Sequence, residues 1–382
     1  MLFTVSNFLP EFKILDFILK MPVTLLIFLL AVPGFVVVGV YLERKISAFI
    51  QDRMGPMEVG KWGLLQLIAD LLKLLQKEDI VPKAADRLLF LVAPIVIFVS
   101  AFAGFAVIPL APGLSGSGAS VGVFFLLTIV SVDVIGLLMA GWGSNNKFAL
   151  YGAMRAVAQI ISYEVPLGLS ILCVIMLTQT LDLQVISFQQ GIYSPDTIYL
   201  FGMKKLGIDV TGVGGFLSWN IIRNPFLLLA YVIYFIASLA ECNRAPFDLP
   251  EGESEIVAGF HTEYSGMRWA LFMLSEYGMM LLVSLLGAIL FFGSWNTPFP
   301  NIGPVRLADW TSGEPGTWLG YLSGAFWLLI KALLAILVQM WIRWTLPRLR
   351  VDQLMYLGWK VLTPVGLVLF FISGIWKLVG IM

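Results

Sequence analysis

The stretch LLFLVAPIVIFVSAFAGFAVIPL, residues 88–110, runs for 23 positions without a charged side chain or an amide side chain. As an α-helix rising 1.5 Å per residue it is about 34 Å long, enough to cross roughly 30 Å of hydrocarbon. Seven further stretches share this character, at about 22–43, 121–142, 155–180, 225–243, 268–293, 319–344 and 361–381. In lipid every backbone amide needs an internal partner, which leaves helices or a closed barrel. Alternating strand patterns are absent, so the sequence predicts an all-α integral membrane protein with about eight transmembrane helices, forming one membrane domain over 1–382.

Working outward, the composition agrees. Mean hydropathy is +0.90, with 59% hydrophobic and only 13% charged residues, too apolar for a soluble core. The net charge is zero, so no global field points to nucleic acid. Cys173 and Cys242 are the only cysteines, too few for a disulfide framework or for an iron–sulfur cluster held by this chain alone. Any redox centre belongs to a partner. Neither a dinucleotide fingerprint nor a P-loop occurs, which argues against nucleotide chemistry on this chain.

The start of the chain lacks a basic region and a small-residue cleavage site, so residues 1–21 read as a mature outer-side segment with a short interfacial helix at 6–20. Assigning each Lys and Arg to a side places sixteen of the twenty-four on one face and seven on the other, with Lys331 in mid-span. The positive-inside rule then sets the sixteen in the cytoplasm and both termini outside. On the cytoplasmic side, WGLLQLIADLLKLLQK (62–77) carries Gln66, Asp70, Lys73 and Lys77 on one stripe amid leucines. At about 24 Å it is too short to cross, and the segment 57–79 reads as an amphipathic helix lying in the interface. The outer loops 181–222 and 294–318 are assigned no chemistry.

Ionisable groups at membrane depth are costly and mark function or partners. Four occur: Asp133, Glu164, Glu276 and Lys331. Glu164 and Arg155 lie nine residues apart on opposite helix faces, and Pro166 frees a backbone carbonyl beside Glu164. Structural hydrogen bonds between helices would explain one such group; three acids and a lysine point to a proton path.

The cytoplasmic loop over 244–267 continues from Glu241 and reads, from that residue, ECNRAPFDLPEGESEIVAGFHTEYSG (241–266). It gathers Glu241, Asp248, Glu251, Glu253, Glu255 and Glu263 around a single base, Arg244. A charge run is commonly just a solvated face. These acids are interleaved with Phe247, Leu249, Ile256, Val257 and Phe260, which favours a packed acidic cavity. His261 reads as a capping or packing residue ahead of a proton or quinone ligand, and Cys242 as a buried small hydrophobe.

Five segments in order, YLERKISAFIQDRMGP (41–56), GLLQLIADLLKLLQKED (63–79), GAMRAVAQIISYEVPL (152–167), the acidic loop and RWTLPRLRVDQLMYLGWK (343–360), resemble the quinone-site membrane subunit of respiratory complex I, the H subunit in bacteria and subunit 1 in mitochondria and plastids. The resemblance implies a proton-translocating NADH:quinone oxidoreductase whose complete active site is shared with other chains. It implies a lipid quinone as substrate, no covalently bound cofactor, and iron–sulfur clusters, FMN and NADH only in partner subunits. The implied partners are the quinone-site and iron–sulfur subunits of the peripheral arm, small and antiporter-like membrane subunits, and the bilayer of the bacterial inner membrane.

Residue by residue, the resemblance places Glu43, Arg44 and Lys45 at a quinone tunnel entrance, Asp70 and Lys73 on the bordering helix, and Arg244, Phe247 and Asp248 along the tunnel. It places Asp133, Glu164, Glu241, Glu251, Glu253, Glu255, Glu263, Glu276 and Lys331 on the proton path and its coupling loop. Asp133 departs in type from the Glu often found at this depth, and loop 181–222 departs in length. Related subunits of ferredoxin-linked plastoquinone oxidoreductases and membrane-bound hydrogenases share the pattern. An autonomous ion transporter would instead concentrate its charges at a midplane site in broken helices, and a purely structural anchor would tolerate neutral replacements of the buried acids.

Overall fold

In a computed structural model of the chain, residues 14–204, 207–250, 252–302 and 305–381 are described, with side chains from residue 22 onward and without those of 253, 254 and 381. Helix α1 (Ile14–Ile50) is followed by α2 (Gln66–Gln76), α3 (Arg87–Gly104), a two-stranded hairpin of β1 (Pro109–Ala111) and β2 (Leu114–Ser115), α4 (Gly122–Gly143) and α5 (Lys147–Thr178). Short helices α6 (Leu183–Phe188) and α7 (Asn220–Arg223) lead to α8 (Phe226–Glu241), α9 (Glu253–Ile256) and α10 (Gly266–Phe291). Then come α11 (Leu307–Ser312), α12 (Trp318–Thr345), α13 (Val351–Tyr356) and α14 (Thr363–Ile381).

Among the described residues seven helices are long and apolar enough to cross a membrane, and α8, at 16 residues, is a shorter apolar helix at the position of the remaining predicted span. The all-α membrane architecture expected from the apolar runs is therefore present. Several boundaries differ for local reasons. No break separates an interfacial helix from the first span between residues 14 and 50; residues 6–13 lie outside the described part. The fourth span starts at Lys147 because the Asn146 side chain caps it, accepting from the Phe148 amide at 2.9 Å. Glu164 therefore sits about two turns deeper in its helix than a start at 155 implies. The regular part of the amphipathic segment is only Gln66–Gln76, since Gly60 and Gly63 take positive φ and turn the chain just before it. The last span begins at Val351 and passes through a π-helical turn at Leu357–Leu362.

Helix α10 is the axis of the bundle. Its apolar window is 89% buried, against 22% for α1, so α10 meets protein on nearly all sides and α1 keeps a wide face for lipid or partners. Close approach is made possible by glycine at Gly152 on α5, where a Cβ would come within 2.6 Å of the Gly259 Cα. The acidic loop is thereby pressed onto α5, and Gly259, at φ +53°, turns so tightly that its own Cβ would meet the Pro250 carbonyl.

Candidate functional site

Two groups of polar side chains are built at the loop side of the bundle. The first centres on Glu43, in α1, only 5% exposed. Arg244, just beyond the end of α8, donates from Nη1 to both carboxylate oxygens at 3.1 and 3.3 Å. Tyr277 Oη of α10 donates to Glu43 at 2.6 Å, and Arg343 of α12 pairs with the same carboxylate. The Arg244 guanidinium also lies 4.1 Å from the centre of the Tyr277 ring, a cation–π contact strengthened by desolvation. Four elements far apart in sequence thus share one buried charge.

Beside this group, α2 is strapped to the end of α1. Arg44 pairs with Asp70 at 2.8 Å, Lys73 with Asp70 at 3.5 Å, and Tyr41 Oη donates to the Trp62 carbonyl at 3.0 Å. Lys45 donates to the Pro56 carbonyl at 2.8 Å. Partial burial raises the Asp70 carboxyl, but the hydrogen bond and charge of Arg44 outweigh it and hold Asp70 below the usual carboxylate range. Around them Phe49, Met54, Trp62, Leu64 and Leu65 are exposed, leaving a broad apolar surface. Phe247 is buried edge-on to Tyr163, with ring centres 5.2 Å apart, and Asp248 pairs with Arg348 at 2.8 Å.

The second group surrounds a small cavity lined by Asp133 of α4, Glu241 at the end of α8, and Ser275 and Glu276 of α10, with Asn243 and Phe260. Its volume is about 20 Å³, room for a water molecule. Asp133 accepts from Ser100 Oγ at 3.4 Å. Glu241 Oε2 is buried without a hydrogen-bond partner among the described residues. Glu164 is hydrogen-bonded by Ser131 and lies close enough to Glu241 for their charges to interact, as Glu276 does to Asp133.

In the loop above the cavity, Glu255 pairs with Arg155 at 2.6 Å, and Glu263 accepts from Asn146 Nδ2 at 2.6 Å. His261 Nε2 lies 3.5 Å from Glu276 Oε1. Glu251 and the side chain of Glu253 lie outside the described residues. Lys331 joins neither group. It reaches the opposite end of α10, donates to the carbonyls of Ser294 (2.8 Å) and Asn296, and sits 4.6 Å from the Trp219 ring centre. Sequence reasoning missed Tyr277, Arg343, Ser131 and Ser100 as members of these groups. Arg343 opens one of the quoted motifs and Tyr277 follows Glu276; Ser100 and Ser131 carry no signal of their own inside apolar runs.

A sequence profile described as NADH dehydrogenase matches residues 23–374. The NADH-quinone oxidoreductase H subunit 2 of Cytophaga hutchinsonii is 63% identical over 341 residues, 88% of this chain and 93% of the relative. The chain belongs to the family of NADH-quinone oxidoreductase H subunits. More distant members agree: the H subunit of Chlorobaculum parvum is 54% identical over 338 residues, covering 88% of this chain and 87% of its own, and that of Geobacillus sp. is 44% identical over 348 residues, covering 91% of each. The range matched by the profile takes in the Glu43 group, the acid-lined cavity and the loop between them, so both groups lie within the part this H subunit shares with its relatives.

Proposed function

We propose that the chain is the membrane H subunit of a proton-translocating NADH:quinone oxidoreductase in the bacterial inner membrane, with its loops and α2 docked on a peripheral arm that carries the iron–sulfur clusters. The observation that carries this reading is the spacing of Glu241 and Arg244. One turn of backbone places Glu241 in the acid-lined cavity and Arg244 in the ion cluster around Glu43.

The exposed apolar surface between α1 and α2 suits the isoprenoid tail of a lipid quinone. Glu43, Arg44, Lys45, Asp70, Lys73, Arg244, Phe247 and Asp248 then border its path. Reduction of the quinone consumes two electrons, delivered by the partner's cluster, and two protons. Loss of those protons from the loop side changes the charge near Arg244. The Glu43 cluster responds as a unit because Arg244, Tyr277 and Arg343 share one carboxylate. Displacement of Arg244 moves Glu241 with it, and Glu241 exchanges protons through cavity water with Asp133, Glu276 and, through their mutual charge interaction, Glu164. Glu251, Glu253, Glu255 and Glu263 supply the loop's acidic side, with Glu255 held by Arg155.

Lys331 takes a place at the outer end of this system, steadying the C-terminal end of α10, whose partial negative charge favours a cation. The reading is tested by extracting the tagged chain in mild detergent and assaying the co-purifying material for iron–sulfur absorbance and NADH-driven reduction of a short-chain quinone. Both signals, with the quinone step stopped by a tunnel-blocking inhibitor, are expected. Iron–sulfur proteins without NADH activity would move the reading to a ferredoxin-linked or hydrogenase relative.

A further inference from the structure

Resting on that reading, we propose that His261 is the proton-carrying residue that joins the acidic loop to the acid-lined cavity, handing protons to and from Glu276. It is the only histidine in the chain, and the only side chain type whose ordinary titration falls near neutral pH. It sits at the end of the short turn Gly259–His261, which the close contact of Gly152 with Gly259 presses against α5. The imidazole is buried between Phe260 and the edge of Phe272, with ring centres 4.0 and 5.2 Å away. Those two phenylalanines also line the cavity. The ring is therefore held at the cavity wall, on the side where the loop covers it.

The surrounding charges define the route. Glu276 of α10 lies 3.5 Å from Nε2, and Asp133 of α4 and Glu241 of α8 line the same cavity as Glu276. Glu263 follows two residues along the loop, tied to Asn146 at the start of α5. The nearby bases are engaged elsewhere: Arg155 of α5 holds Glu255, and Arg268 of α10 holds Asp79 at 2.8 Å. Arg244, near enough to feel the charge of Glu276, donates to Glu43 through Nη1, and its Nε and Nη2 reach no hydrogen-bond partner among the described residues, Glu276 included. None of these cations pairs directly with Glu276, so a protonated His261 is its natural partner. In the transfer the Nε2–H bond breaks and an O–H bond forms on Glu276. The imidazolium becomes neutral, the carboxylate becomes neutral, and no electrons move. The ring regains its proton from the loop, where Glu263 is the adjoining acid.

The test uses the whole complex reconstituted in proteoliposomes, with His261→Gln and His261→Asn compared with the parent for iron–sulfur content, NADH:quinone turnover and proton pumping across about pH 6 to 8. Expected is normal assembly, with coupled turnover reduced roughly tenfold. That is less than the 100-fold or more of a sole acid–base group, because Asp133 and Glu241 still share the cavity water. The limb of the pH profile that titrates near neutrality should vanish, and His261→Gln combined with Glu276→Gln should be no slower than the slower single variant. Assembled variants that keep the parental pH profile and pumping overturn the proposal. Failure of both variants to assemble also overturns it, because it assigns the ring to packing. Lack of NADH:quinone turnover in the parent complex would instead sink the functional reading on which the proposal rests.

Discussion

Replacing Glu43 by Gln removes the charge that neutralises Arg244 and Arg343 while keeping the size of the side chain. Both Glu43 and Arg244 are nearly excluded from solvent, with side chains 6% and 7% exposed. Removing one member of such a buried pair costs about 3–5 kcal/mol, because the remaining charge is left desolvated and unpaired. Arg343 is 27% exposed and can turn towards water, so the lower end of that range, about 3 kcal/mol, applies. At 1.4 kcal/mol for each factor of ten, this is roughly a 100-fold increase in local opening of the loop root. The amides that report it are those of Arg244, bonded to the Leu239 carbonyl at 3.2 Å, and Phe247, bonded to the Arg244 carbonyl at 2.8 Å. Hydrogen exchange of the purified complex should show these two amides losing about two orders of magnitude of protection, together with a marked loss of quinone turnover. Parental protection at both amides in the Glu43→Gln variant would refute the view that the buried cluster holds the loop root in place.

Other outcomes follow from the same geometry. Asp70→Asn should cost no more than about 1 kcal/mol, because Arg44 is 45% exposed and the pair is screened by salt. Since the Asp70 carboxyl is held below its ordinary value of 3.8, that small contribution is present above that value and lost as pH falls through the depressed folded one; a thermal inactivation series in pH and salt checks this. Gly152→Val should push the acidic loop off α5, because even a Cβ there meets Gly259 backbone at 2.6 Å, and should uncouple pumping more than it slows electron entry from NADH. Glu255→Gln should lower quinone-linked turnover with assembly intact; normal coupled turnover would count against a working role for the loop acids. Lys331→Met should lower the thermal inactivation temperature through loss of its carbonyl and Trp219 contacts, and should leave the number of protons pumped per NADH unchanged.

The candidate site was partly legible from local signals. Asp133, Glu164, Glu276 and Lys331 stand out because a charge in an apolar run is costly, Glu43 only through the motif that carries the resemblance, and the acidic loop because its acids alternate with large apolar residues. Ordinary residues such as Ser100, Ser131 and Tyr277 acquire meaning only through what faces them across a helix interface. Lys331 illustrates the limit most clearly: depth in the sequence groups it with the acids, whereas its side chain runs to the far end of α10. Linear position along a span measures height in the membrane and says nothing about which neighbouring helix a side chain meets.

The sequence by itself determined that the chain is an all-α membrane protein with about eight apolar runs, since apolar length and backbone hydrogen bonding in lipid leave no other choice. It also determined that α2 is amphipathic, that the acids are concentrated in one loop, and, through its motifs, the family resemblance. Only the tertiary structure decided that α10 is the buried axis, that Glu43 gathers Arg244, Tyr277 and Arg343, and that His261 rests against Glu276 beside a water-sized cavity. Apart from these few ionisable groups the spans are apolar on nearly all faces, so periodicity cannot tell a protein-facing side from a lipid-facing one. Packing alone makes that distinction, through close contacts such as those at Gly152 and the few polar groups that must find partners out of water.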